Sequence, residues 1–230
     1  MSTTVQPDAS WYEIDPAFYA HGGVCFSEAE SLALADCAGE KALVMPAAGG
    51  EEALSLANLG AAVSVLDTAA DAAKATALVT ASGKPVRFLE RQAEEADLPG
   101  GPYDIVYSGF GTLKPIEFFD VWAEQVAAAL RPGGRLVIHD AHPMATVPGV
   151  YKGIFAIAHS YFGDDEHGHG SSWTMGDLIS ALGSAGLATI HLEESPDSER
   201  YETPLDRFRN VRWDVRWRLP GSFVLVAFKA

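Results

Sequence analysis

Between Lys41 and Asp67 the spacing of apolar and polar positions changes period twice. Ala42 to Met45 is a continuous apolar run, short enough for a strand buried on both faces. Pro46-Ala47-Ala48-Gly49-Gly50 follows as a loop of small residues. From Glu51 to Leu59 apolar residues recur at Ala53, Leu54, Leu56, Ala57 and Leu59, one face of a short helix that Gly60 stops. A second apolar run, Ala61 to Leu66, ends on a single carboxylate, Asp67. Strand, small-residue loop, helix, strand and acid make the front half of a nucleotide-binding α/β sheet. The loop lets a ligand approach the backbone, and the terminal acid suits a ribose diol.

The rest of the chain continues the alternation. Thr68 to Ala81 is alanine-rich and helical, ended by Gly83, and Lys84 to Leu89 supplies a third strand. Tyr103 to Tyr107 reads as the fourth strand, and Pro115 to Leu130 as an amphipathic helix with Phe118, Phe119, Trp122, Val126 and Leu130 on its inner side. Arg135 to His139 is the fifth strand. Trp173 to Leu187 is a helix with an inner stripe of Trp173, Leu178, Ile179 and Leu182. Thr189 to Glu193 and the apolar run Ser222 to Lys229 complete the set. Near the start, Ser27 followed by Glu30 predicts a capped helix over Ser27 to Cys37. The pattern predicts one α/β domain, a doubly wound, seven-stranded and mostly parallel sheet with helices on both faces.

Charge narrows the partners. Sixteen basic residues against thirty-one acidic ones give a formal charge of −15 over 230 residues. Nucleic acid is therefore not an expected partner, because phosphate binding needs a basic footprint. No apolar stretch reaches the length of a membrane span, and Met1 to Ser10 lacks the parts of a signal peptide. Cys25 and Cys37 have no CxxC spacing, so free thiols in a reducing cytoplasm are the expectation. The oligomeric state is not legible.

The ordered set of segments resembles the class I S-adenosylmethionine-dependent methyltransferases, most nearly the small bacterial kind that acts on small molecules, secondary metabolites included. The stretch from Lys41 to Asp67 is similar to that family's first two motifs, PYDIVYS (Pro102 to Ser108) to its fourth strand, and LRPGGRLVIHDAHP (Leu130 to Pro143) to the turn and strand beyond. The chain departs from the family pattern at Val44, Pro46, Ala48 and Gln92, and retains Gly50. The resemblance implies a Rossmann-like methyltransferase fold over residues 1–230: an N-terminal flap (1–38), a cofactor-binding core (40–143), a substrate lid insertion (144–172) and a C-terminal part of the sheet (173–230). It also implies S-adenosyl-L-methionine as cofactor, with Pro46, Ala47, Ala48, Gly50 and Ser108 at its amino-acid end. Asp67 and Thr68 would meet its ribose, Gln92 and Ala93 its adenine.

The aromatic flap from Trp11 to Phe26 holds Tyr12, Tyr19 and His21, whose polar tips suit ligand contact; packing alone would also explain these rings. Tyr12, His21, Tyr161 and Trp173 are the expected substrate contacts, and His142, Asp140 and Tyr19 the expected catalytic groups. In HDAHP, His142 lies just past the fifth strand and can accept a proton near neutral pH, with Asp140 as an orienting partner. The alternative is that His142 only orders the turn before Pro143. Asp164, Asp165, Glu166, His167 and His169 have ligand chemistry, but their glycine-rich stretch offers no rigid frame, so no metal site is expected. Two other functions stay open: a methyltransferase fold that has lost methyl transfer, acting as a cyclase, isomerase or ligand-binding protein, and, more weakly since GxGxxG is absent, an NAD-linked dehydrogenase.

Overall fold

The computed structural model describes residues 15–45, 49–67, 72–90, 101–151, 154–163, 173–198, 201, 203–208 and 219–230. Seven strands form the main sheet: β1 (Lys41–Val44), β2 (Ala62–Asp67), β3 (Val86–Glu90), β4 (Tyr103–Ser108), β5 (Leu130–Ala141), β8 (Leu187–Ser195) and β9 (Ser222–Lys229). Their order is β3-β2-β1-β4-β5-β9-β8. The first five are parallel, and β9 inserts antiparallel between β5 and β8. The sequence thus reads correctly as a doubly wound, mostly parallel sheet, and the order reverses between β1 and β4, where open sheets bind ligands.

Period-two alternation along the strands builds two cores. Leu43, Val106, Leu136, Ile138, Phe223 and Leu225 pack on one face with α5 (Phe119–Ala129) and α6 (Met175–Ser184). Ala42, Val44, Ile105, Tyr107, Val137 and Val226 face the other side, with α2 (Glu28–Ala33) and α3 (Glu51–Asn58). On that second side, α1 (Pro16–Ala20) closes over α3 and α4 (Ala72–Ser82) through Tyr19, Cys25, Leu54, Leu78 and Val79.

Element ends differ from the sequence reading where local geometry overrides period. Helix α5 begins at Phe119, and Phe118, assigned to the inner stripe, caps it and is 64% exposed. In α6 the buried residues are Met175, Leu178, Ala181 and Leu182, while Ile179 lies at the rim. The stretch 144–172 contains a 3₁₀ turn (Pro143–Thr146) and a separate hairpin, β6 (Pro148–Tyr151) with β7 (Ile154–Ile157). Residues 164–172, with the acidic and histidine-rich run, lie outside the described residues. No described helix is long and apolar enough to cross a membrane.

Candidate functional site

The carboxyl ends of β1, β2, β4 and β5 meet at the reversal of strand order, and among the described candidates Gly50, Asp67, Ser108 and Asp140 lie at or just past these ends. Gly50 caps α3 in the left-handed region, at φ +94°. A Cβ at this position would come 3.0 Å from the Ala75 Cα of α4, so the turn from β1 into α3 admits only glycine without displacement. Asp67 closes β2 and Ser108 closes β4. The Ser108 hydroxyl lies 2.6 Å from the Thr112 hydroxyl, which donates to the Gly109 carbonyl. Pro46, Ala47, Ala48, Thr68, Gln92, Ala93 and Tyr12 lie outside the described residues, as does the side chain of Asp67.

The first turn of α3 carries Glu51 and Glu52. Glu52 is buried and accepts a hydrogen bond from the Tyr201 hydroxyl. Its carboxylate also stands within van der Waals reach of a Cβ built at Gly109, just past β4. A helix N-terminus bearing two carboxylates favours a cation over a phosphate. The two carboxylates in this first turn suit the cationic amino-acid and sulfonium end of S-adenosylmethionine better than a dinucleotide pyrophosphate.

Asp140 is not the orienting partner of His142. Its Oδ1 accepts from the N–H groups of Gly111 (2.7 Å) and Ala141 (2.6 Å), and its Oδ2 from Leu113 (2.8 Å). The carboxylate fixes the loop after β4, and burial raises its pKa against the opposing pull of those amides. The chain leaves the strand after Ala141, so the alternation that aligned Asp140 with His142 stops there. His142 instead caps the 3₁₀ turn: Nδ1 accepts from the Met144 N–H at 3.0 Å, and Nε2 lies 2.7 Å from Glu194 of β8. Burial lowers its pKa, and Glu194 opposes that shift. Nδ1 is committed to the turn and Nε2 faces the Glu194 carboxylate, the arrangement of a turn-ordering histidine.

Four other expected site residues make structural contacts. Tyr19, on the inner side of α1, is 2% exposed and close to Cys25, and burial pushes its phenol pKa up, so it stays protonated and is no base at neutral pH. Trp173, expected to begin a helix, precedes α6 and its cap Thr174, and is buried between Phe119 and Phe223 at ring separations of 5.5 and 6.2 Å. The Tyr161 hydroxyl accepts from the Met175 N–H at 3.1 Å and tethers the start of α6. His21 is exposed and ends α1, with Nδ1 2.7 Å from the Ala17 carbonyl oxygen.

The structure brings forward a group the sequence reading passed over. Glu30 of α2 is fully buried. Its Oε2 accepts from the Ser27 N–H at 2.9 Å, closing the capping box, and lies 3.1 Å from His139 Nδ1; its Oε1 accepts from the Tyr107 hydroxyl. On the far side of the ring, His139 Nε2 lies 3.3 Å from the Ser198 hydroxyl. Phe110 meets His139 edge-on at 5.5 Å and stacks on Tyr201 at 4.7 Å. His139 and Ser198 line a cleft of about 360 Å³ between the start of α2 and the β8–β9 pair. The strand register brings Tyr107 and His139 together: Tyr107 pairs with Val137, so His139, two positions on, shares its face. Glu30 reads in the sequence as an ordinary capping residue.

No protein-family model matches the chain and no curated protein matches it significantly. Solved structures do. An S-adenosylmethionine-dependent methyltransferase from Mesorhizobium loti is 20% identical with a TM-score of 0.64, over 88% of this chain and 99% of that one. One from Clostridium acetobutylicum is 10% identical with a TM-score of 0.60, over 95% and 93%. The [4+2]-cyclase SpnF is 16% identical with a TM-score of 0.63, over 98% and 85%. With the strand order and the β1–α3 glycine turn, these likenesses establish that the chain has the fold of the class I S-adenosylmethionine-dependent methyltransferases.

Proposed function

We propose that the protein is an S-adenosylmethionine-dependent methyltransferase acting on a small molecule. The observation that carries this reading is the first turn of α3, where Glu51 and Glu52 follow the left-handed Gly50 and make the site attractive to positive charge. That electrostatic sign opposes the dehydrogenase reading, whose pyrophosphate would meet two carboxylates.

In this reading the Gly50 turn and Ser108 hold the amino-acid end of the cofactor. Asp67 accepts from the ribose hydroxyls, and Gln92 recognises adenine through its amide oxygen. The bound cofactor supplies an electrophilic methyl group. The chain's part is alignment and exclusion of water, with Phe110 and Tyr201 stacked beside the strand ends. Calorimetric titration tests it: S-adenosylmethionine should bind, NAD should not, and Asp67→Ala should weaken binding by about 1.5–3 kcal/mol, the range for hydrogen bonds to a charged group. No heat with S-adenosylmethionine at millimolar concentration refutes the reading.

A second reading rests on the likeness to SpnF and on the altered loop positions Pro46 and Ala48: a cyclase, isomerase or binding protein that keeps the fold without methyl transfer. Cofactor binding without formation of S-adenosylhomocysteine, across phenol, enol and amine acceptors, would favour it.

A further inference from the structure

We propose that the cleft between α2 and the β8–β9 pair is the acceptor site and that it takes a small organic ammonium, held by carboxylates at its rim and by His139 inside. As an assignment of the methyl acceptor this rests on the reading above; as a binding site it stands on its own residues.

The cleft, about 360 Å³, lies within the size range of small-molecule sites. Glu28, Glu193 and Asp197 line it, all exposed, and among the described lining residues there is no lysine or arginine. Glu193 also has His191 at 3.6 Å, a half-exposed contact that leaves its carboxylate open to water. Three carboxylates around one concave surface, on a chain of net charge −15, concentrate cations and repel carboxylates and phosphates. Phe223 and Leu32 supply apolar wall for the body of the ligand.

His139 makes the cleft more than an acidic patch. Its side chain is 3% exposed, yet the residue lines the cleft. The Glu30 carboxylate beside Nδ1 favours the tautomer with the proton on that nitrogen. Nε2 is then an acceptor, 3.3 Å from the hydroxyl of Ser198, which also lines the cleft. An ammonium N–H can donate to Nε2 in place of the Ser198 hydroxyl while its charge is balanced by the rim; an alcohol gains only the hydrogen bond, and a carboxylate meets repulsion. The carboxylate–imidazole pair thus sets a polarity that selects donors. Tyr107, bonded to the other oxygen of Glu30, ties the pair to the end of β4 beside the cofactor turn.

The test uses the full chain without cofactor and three probes of one shape: benzylammonium, benzyl alcohol and benzoate. Affinities come from calorimetry, and the His139 ring signal from carbon–proton NMR. Benzylammonium should bind about ten-fold or more tighter than benzyl alcohol, benzoate should not bind, and the His139 signal should move to saturation. His139→Gln should abolish binding. Because that change leaves Glu30 buried without its imidazole and threatens folding, Glu193→Gln with Asp197→Asn serves as the second variant. Both residues are exposed, and removing two rim charges should weaken binding roughly 3–10-fold, the worth of two exposed pairs. Equal affinity for ammonium and alcohol, an unmoved His139 signal, or a double variant that binds like wild type overturns the proposal. S-adenosylmethionine titrated in parallel separates the two failures. Bound cofactor without bound ammonium sinks the cleft and spares the methyltransferase reading; bound ammonium without bound cofactor does the reverse.

Discussion

Replacing Gly50 with alanine tests the turn on which the cofactor reading depends. Two costs add. An L-residue held at φ +94° forfeits about 1–2 kcal/mol against the right-handed region. The new methyl would also sit 3.0 Å from the Ala75 Cα and 3.1 Å from its Cβ, contacts that backbone atoms of α4 cannot relieve by rotating a side chain. Overpacking of that kind costs about 1–3 kcal/mol. Together these give about 2–5 kcal/mol, a fall in melting temperature of roughly 4–20 °C for a chain of this size. Gly39 provides the internal control. It has nearly the same φ, +82°, but nothing lies within 4 Å of its built Cβ, so Gly39→Ala should show the backbone cost alone. Urea unfolding of the three proteins, followed by circular dichroism, measures both terms. If the two variants lose equal stability, the close packing of α3 on α4 at Gly50 is not what the geometry indicates.

Two further outcomes follow from the site. His142 has a depressed folded pKa from burial, while an unfolded imidazole titrates near its ordinary value of about 6.5. Between those values the unfolded chain binds more protons, so this contribution to stability is full above about 6.5 and is lost as pH falls toward the folded value. His142→Asn keeps an acceptor for the Met144 N–H but does not titrate, so the extra loss of stability from pH 7.5 to 5.5 should be present in wild type and missing in the variant; identical losses would contradict it. Asp140→Asn places an amide N–H₂ where a carboxylate oxygen receives Gly111 or Leu113, which should cost about 1–3 kcal/mol and raise hydrogen exchange at those two amides. Wild-type protection there would remove Asp140 from its loop-fixing role.

The sequence by itself determined the sheet. Apolar runs such as Ala42–Met45 and Ser222–Lys229 have the length and continuity of doubly covered strands, and glycines at Gly50, Gly60 and Gly83 mark turns whose positive φ is a local property. Capping is local too, so the Ser27–Glu30 box was legible from spacing alone. What a side chain meets across the fold was not. His142 stood out because it is conspicuous beside a strand end, yet Glu194, 52 residues on by number, reaches it only because β8 runs antiparallel to β9 at the far edge. His139 was the less conspicuous histidine. Only the packing of α2 over β4 and β5 buries Glu30 against it, and only the return of the chain after β8 brings Ser198 to its other nitrogen. Period and propensity act over a few residues, so they set the elements. A buried carboxylate must find partners wherever the fold supplies them, and that pairing over long sequence separation decides which residues make the site.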